Sequence, residues 1–217
     1  MKVYIGGDSY CYARGPSTWP YVFADRLNAT LEGIGFAGRG FWRTRLHLVE
    51  YLDKGCDADL FVFCHTEPSR MLSSTYAGGI HKAFDLNSQI PPNNREIIKI
   101  YNTYLYDQDV HDWAMSQWFL ELNEILKQKP VIHFFIEYPT KQLSEQLSGY
   151  KLESTLFTHT RNSNVDSLYP LSEGYPKFVN HFPIDYNIKF GNALADYCLN
   201  EVLPNPIQTK YFDLDII

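Results

Sequence analysis

Apolar residues along this chain follow two rhythms in turn. Short continuous apolar runs at residues 2–5, 31–36, 59–64 (DLFVFC) and 131–136 (VIHFFI) have the pattern of strands covered on both faces, and 151–158 reads as a last strand. Between them, apolar residues recur at helical spacing over 19–27 (WPYVFADRL), 41–52 (FWRTRLHLVEYL), 113–127 (WAMSQWFLELNEILK) and 185–199 (DYNIKFGNALADYCL). Ser17 or Thr18 stands in the N-cap place of the first helix, with Pro20 in its first turn. From Pro68 to Asp109 the periodicity fades and Gly78-Gly79, Pro91-Pro92 and Asn93-Asn94 bring loop chemistry, so this stretch reads as an irregular lid or binding insertion.

Strands alternating with helices, and buried on both faces, predict an α/β fold: a three-layer α/β/α sandwich around a mostly parallel, flavodoxin-like sheet. The 217 residues, 45% of them hydrophobic, suit one domain over 1–217 rather than two. Ligands of such folds bind beyond the carboxyl ends of the strands. Three polar segments follow strands here and should meet at that edge: Gly6-Gly7-Asp8-Ser9, Ala37-Gly38-Arg39-Gly40, and His65-Thr66-Glu67-Pro68-Ser69-Arg70.

Composition narrows the function by exclusion. A net charge of -6 gives no basic footprint for nucleic acid. Arg39, Arg43 and Arg45 read as the solvated face of a helix start. No apolar run reaches the length of a membrane span, and the start MKVYIGG passes straight into a turn without signal-peptide anatomy, so synthesis in the cytosol is expected. Cys11, Cys56, Cys64 and Cys198 are widely spaced and read as reduced thiols. His47, His81, His111, His133 and His159 show no metal-ligand spacing, so no metal is expected. Sixteen Tyr and 14 Phe suit sugar-like surfaces and ordinary cores equally.

A Gly-Asp-Ser after the first strand, a glycine after the second, a polar block after the third and a histidine before the last helix together resemble the SGNH (GDSL-type) hydrolase superfamily. The resemblance covers nearly the whole chain and includes the Trp19-Pro20 start of the first helix, as in some bacterial thioesterase/lysophospholipase members. It implies Ser9 as nucleophile and His181, in Asn180-His181-Phe182-Pro183, as its base. It places the N–H groups of Ser9 and Gly38, with Thr66, in the oxyanion hole. Two blocks depart from the family: Thr66 and Glu67 stand for Asn-Asp, and Phe178 stands where the acid three residues before the histidine belongs. The Thr-and-Arg variant of the third block resembles phage-encoded members, making a phage or virus origin one reading and Arg70 a second stabiliser or a ligand for an anionic substrate. Asp8 reads as the residue that fixes the turn, and His65 and Glu67 as supporting residues. The third catalytic member stays open, with Asp185 and Glu173 nearby.

The implied activity is a serine esterase that deacylates or deacetylates a carbohydrate or lipid, a small-molecule ester, through a Ser9–His181 dyad; that chemistry would need no cofactor. The rival is a weak or inactive scaffold of the same type that binds carbohydrate or a protein partner. A flavodoxin-like nucleotide binder finds no support, because no GxGxxG or GxxxxGK[ST] follows a strand.

Overall fold

A computed structural model describes residues 1–12, 15–35, 40–65, 96, 99–127, 129–136, 155–159, 182, 184–204 and 210–213, with backbone alone at 9, 102, 135–136, 155–159 and 210–213. Six strands form one sheet: β1 (Lys2–Gly7), β2 (Thr30–Leu31), β3 (Leu60–His65), β4 (Val131–Ile136), β5 (Thr155–His159) and β6 (Lys210–Asp213). Their order is β2-β1-β3-β4-β5-β6 and every neighbouring pair is parallel. This is the flavodoxin-like order with one strand added at the far edge, in keeping with the expected α/β architecture.

The two-residue period of the strands sorts the core into two layers. Val3 and Ile5 of β1, Leu60 and Val62 of β3, and Ile132 and Phe134 of β4 face one side. There they pack under α1 (Trp19–Arg26) and α4 (Ile184–Tyr197), through Trp19, Phe23, Phe190 and Leu194. Tyr4, Phe61, Phe63 and Val131 face the other, under α2 (Phe41–Asp53) and α3 (Gln108–Ile125), against Leu48, Met115, Trp118 and Phe119. Strands apolar on both faces are what two covering layers require.

Two packing details bear on the site. α1 and α4 cross at Gly191, where a Cβ would come within 2.8 Å of Val22 Cβ and 2.9 Å of the Trp19 carbonyl oxygen. Only a residue without a side chain allows that approach. Trp19 is fully buried in this crossing, its ring edge-on to Phe190 at 5.2 Å between centroids.

Several boundaries move from the sequence reading. Gly6 and Gly7 lie inside β1 instead of ending it, because the ladder to β3 continues through Gly6 beside Phe63 and Gly7 beside Cys64. β2 shrinks to two residues, and a sixth strand, β6, lies beyond the last helix, where the sequence reading assigns no element. α3 starts five residues before Trp113, where the Asp107 carboxylate accepts the Val110 N–H as an N-cap. A π-helical turn, Tyr101–Leu105, precedes it, so the end of the expected 68–109 insertion is helical. Of that insertion, 68–95 and 97–98 lie outside the described residues. No helix among the described residues is long and apolar enough to cross a membrane.

Candidate active site

The turn after β1 is set by a glycine and a carboxylate. Gly7 has φ +147°, and a Cβ there would collide with the Cys64 carbonyl of β3 and lie 2.8 Å from Cys11 Sγ. Asp8 is buried; its Oδ1 accepts the Tyr10 N–H at 3.0 Å, and its carbonyl accepts the Cys11 N–H at 3.3 Å. A short polar side chain that binds the backbone two residues on is the usual device for a tight turn. The chain accordingly winds into a 3-10 turn over Ser9–Cys11, which puts the backbone of Ser9 just past the carboxyl end of β1.

The segment after β2 presses on the same turn. Gly35 N–H donates to the Cys11 carbonyl at 3.2 Å. A Cβ at Gly35 would clash with Cys11 Sγ and sit 2.5 Å from the Asp8 carbonyl oxygen. The AGRG block begins two residues later, so the chain is delivered to the Ser9 turn immediately before it. On the other side of β1, Gly7 pairs with Cys64, and the HTEPSR block begins with His65, the last residue of β3.

The third approach comes from the far end of the sequence. Phe182, directly after His181, is buried with its ring edge-on to Tyr10, directly after Ser9, at 5.6 Å between centroids. The Phe182 carbonyl accepts from Asn187 Nδ2 at 2.8 Å, and Asn187 Oδ1 accepts the Trp19 backbone N–H at 3.0 Å. The Trp19 indole Nε1–H in turn donates to the Tyr10 carbonyl at 2.6 Å. Gly38, Thr66, Glu67, Arg70, Glu173, Phe178 and His181 themselves lie outside the described residues, as does the Ser9 side chain. Asp185 is exposed in the first turn of α4.

His65 differs from a solvent-facing loop residue. It is buried on the α3 side, its Nε2 and His133 Nδ1 are 2.8 Å apart, and both rings lie against Phe119, at 5.0 and 4.4 Å. One of the facing nitrogens must donate and the other accept, so the accepting ring is neutral, and burial disfavours a charge on either ring. Burial pushes the His65 imidazole down to about 3, and burial with the neighbouring His65 holds His133 well below the ordinary range. His65 therefore anchors the end of β3 from within the core. The sequence reading sets His133 aside for lack of metal-ligand spacing and misses its pairing with His65, because it sits amid the apolar run VIHFFI and one ring nitrogen finds its partner only across the sheet.

A polar cluster at the start of α3 was also missed. The Tyr101 hydroxyl and His111 Nε2 are 2.9 Å apart, Gln108 Nε2 donates to Asp112 Oδ1 at 2.7 Å, and Tyr106 stacks on His111. Burial raises the Tyr101 phenol to about 12, so it stays a protonated donor. α3 descends from the carboxyl ends of the strands to β4, which places this cluster at the same edge of the sheet as the Ser9 turn.

No protein-family model and no curated protein matches the sequence. Among solved structures the chain is similar to a carbohydrate esterase family 2 enzyme with a carbohydrate-binding domain from Corynascus thermopiles (Myceliophthora fergusii). The identity is 11% and the TM-score 0.50, over 90% of this chain and 64% of that one, so the chain spans less than two thirds of that enzyme's length. A proposed oxidoreductase of Escherichia coli K-12 aligns at 12% identity over 98% of this chain and 96% of that one, with a TM-score of 0.41, too loose to define a shared fold. The likeness to the esterase is one of fold: a parallel α/β sheet with helices on both faces.

Proposed function

We propose that this chain is an SGNH-type serine ester hydrolase that removes an acyl or acetyl group from a carbohydrate or lipid. The observation that carries the reading is the contact between Tyr10 and Phe182. It brings together the covalent neighbours of Ser9 and His181, which lie 172 positions apart in sequence (181 − 9). The fold similarity to a carbohydrate esterase favours a carbohydrate ester over a lipid.

In this reading Ser9 Oγ attacks the ester carbonyl carbon while His181 takes the hydroxyl proton. The carbonyl oxygen becomes an oxyanion held by the N–H groups of Ser9 and Gly38 and by the Thr66 hydroxyl. Collapse of the tetrahedral intermediate releases the alcohol, which receives the proton from His181, and leaves an acyl-Ser9 ester. Water, deprotonated by the same histidine, then frees the acid. Asp8 holds the turn; the same reading gives Glu67 a supporting role, makes Arg70 a second stabiliser or a ligand for an anionic substrate, and has the 68–109 segment shape the acyl or sugar pocket. A hydroxyl in place of an amide is a shorter donor, and loss of one oxyanion donor costs roughly 10²–10³ in rate, so slow turnover is expected.

The test is hydrolysis of p-nitrophenyl acetate and of an acetylated oligosaccharide by the purified protein. Release of acetate that disappears in both Ser9→Ala and His181→Ala supports the reading. Turnover that survives Ser9→Ala overturns it. The missing Asn and Asp residues favour a second reading, a carbohydrate-binding scaffold without catalysis. That alternative predicts retention of the oligosaccharide with no acetate released.

A further inference from the structure

A Ser–His dyad without the family's acid three residues before the histidine needs another device to fix the histidine. We infer that Asn187 is a positioning residue that locks the segment carrying His181 onto the Ser9-bearing turn; this rests on the dyad proposed above. Its side-chain amide bridges two backbone groups from distant parts of the chain. Nδ2 donates to the carbonyl of Phe182, the residue after His181. Oδ1 accepts the N–H of Trp19, the first residue of α1. That N–H is one of the donors a helix start leaves without an intrahelical partner, and the Thr18 side chain makes no cap to the helix. The two partners dictate the orientation of the amide, because an N–H can only donate and a carbonyl can only accept.

The clamp continues to the nucleophile. The same Trp19 sends its indole N–H to the carbonyl of Tyr10, the residue after Ser9. Two side chains therefore join the peptide after His181 to the peptide after Ser9, and the Phe182–Tyr10 ring contact closes the loop. The frame is stiff because Trp19 is fully buried, Asn187 is buried on α4, and the helices that carry them nearly touch at Gly191. Displacing a catalytic group by about 1 Å can cost on the order of 10²-fold in rate, so a clamp of this kind governs the rate more than the fold.

The chemistry of the amide supplies a selective variant. Asn187→Asp keeps the acceptor for Trp19 N–H but removes the donor to Phe182, and sets a carboxylate oxygen against a carbonyl. Trp19→Phe keeps most of the ring and removes the indole donor to Tyr10. Leu194→Ala, a buried change on the same helix, serves as the control for simple destabilisation. The expected result for Asn187→Asp is a kcat per folded molecule reduced roughly 10–100-fold well below its Tm, with KM held within about threefold. Amide hydrogen exchange should rise in peptides covering 178–184 and stay unchanged in the body of α1. Trp19→Phe should show a smaller loss of kcat, and Leu194→Ala a lower Tm with unchanged kcat. If Asn187→Asp lowers Tm but leaves kcat and exchange at 178–184 as in the parent, the clamp is overturned while the esterase reading stands. If the parent shows no Ser9-dependent turnover, the esterase reading and the positioning role fall together. Exchange then reports whether Asn187 still ties the two segments.

Discussion

Acid should unfold this protein earlier than its surface charges alone would, because two neutral histidines are sealed in its core. His65 and His133 touch across β3 and β4 beneath Trp118 and Phe119, and burial lowers both imidazoles far below the value near 6.5 of a histidine in an unfolded chain. The folded affinity for a proton is thus lower than the unfolded one. Stability is full above about pH 6.5 and is lost as pH falls toward the folded value near 3, since the unfolded chain binds protons that the folded chain refuses. At about pH 5 the gap is roughly 1.5 pH units for each histidine, which at about 1.4 kcal/mol per unit is about 2 kcal/mol each, or about 4 for the pair. That is a large share of the roughly 5–15 kcal/mol that holds a typical domain folded. Urea unfolding at about pH 7 and about pH 5, followed by tryptophan fluorescence, measures the loss. The double variant His65→Phe/His133→Leu removes both titrating groups and should flatten the profile by about 4 kcal/mol over this interval. A double variant with the same pH 7-to-5 loss as the parent, within about 1 kcal/mol, would refute the reasoning.

Two further substitutions probe the frame of the site and its surroundings. Gly35→Ala drives a methyl group into Cys11 Sγ and the Asp8 carbonyl, so it should cost roughly 1–3 kcal/mol by urea unfolding and reduce Ser9-dependent turnover at least tenfold. Arg45, whose guanidinium pairs with both carboxylate oxygens of Glu121 to join α2 to α3, is about one third exposed. Screening by solvent limits that pair, and Arg45→Ala should cost no more than about 1 kcal/mol in the same assay.

The layered fold was legible because the buried strands announce themselves. DLFVFC and VIHFFI are short, nearly continuous apolar runs, a length and pattern that suit a strand covered on both faces, and WPYVFADRL carries its own helix start. β6 was not legible: its four residues are too few for a period to show, and its place at the sheet edge comes only from pairing with β5. The early start of α3 hid behind the polar residues Gln108 and Asp109, since Asp107 begins the helix by capping and not by burial. At the site, glycines and polar residues at strand ends could be read as a group, but what holds them could not. Asn187 looks like any polar residue of an amphipathic helix, and Trp19 like any core aromatic. Their hydrogen bonds to Phe182 and Tyr10 arise from the crossing of α1 and α4, which no local pattern encodes.

The most direct test of Ser9 as an activated nucleophile is its reaction with a fluorophosphonate probe. Attack of Ser9 Oγ on phosphorus expels fluoride, and the hydroxyl proton passes to His181, so labelling reports the nucleophile and its base without knowledge of the substrate. Intact-protein mass spectrometry should show one adduct per chain, mapped to the peptide containing Ser9, absent in Ser9→Ala and slowed at least a hundredfold in His181→Ala. An unlabelled parent protein, or an adduct that persists in Ser9→Ala, would contradict the account.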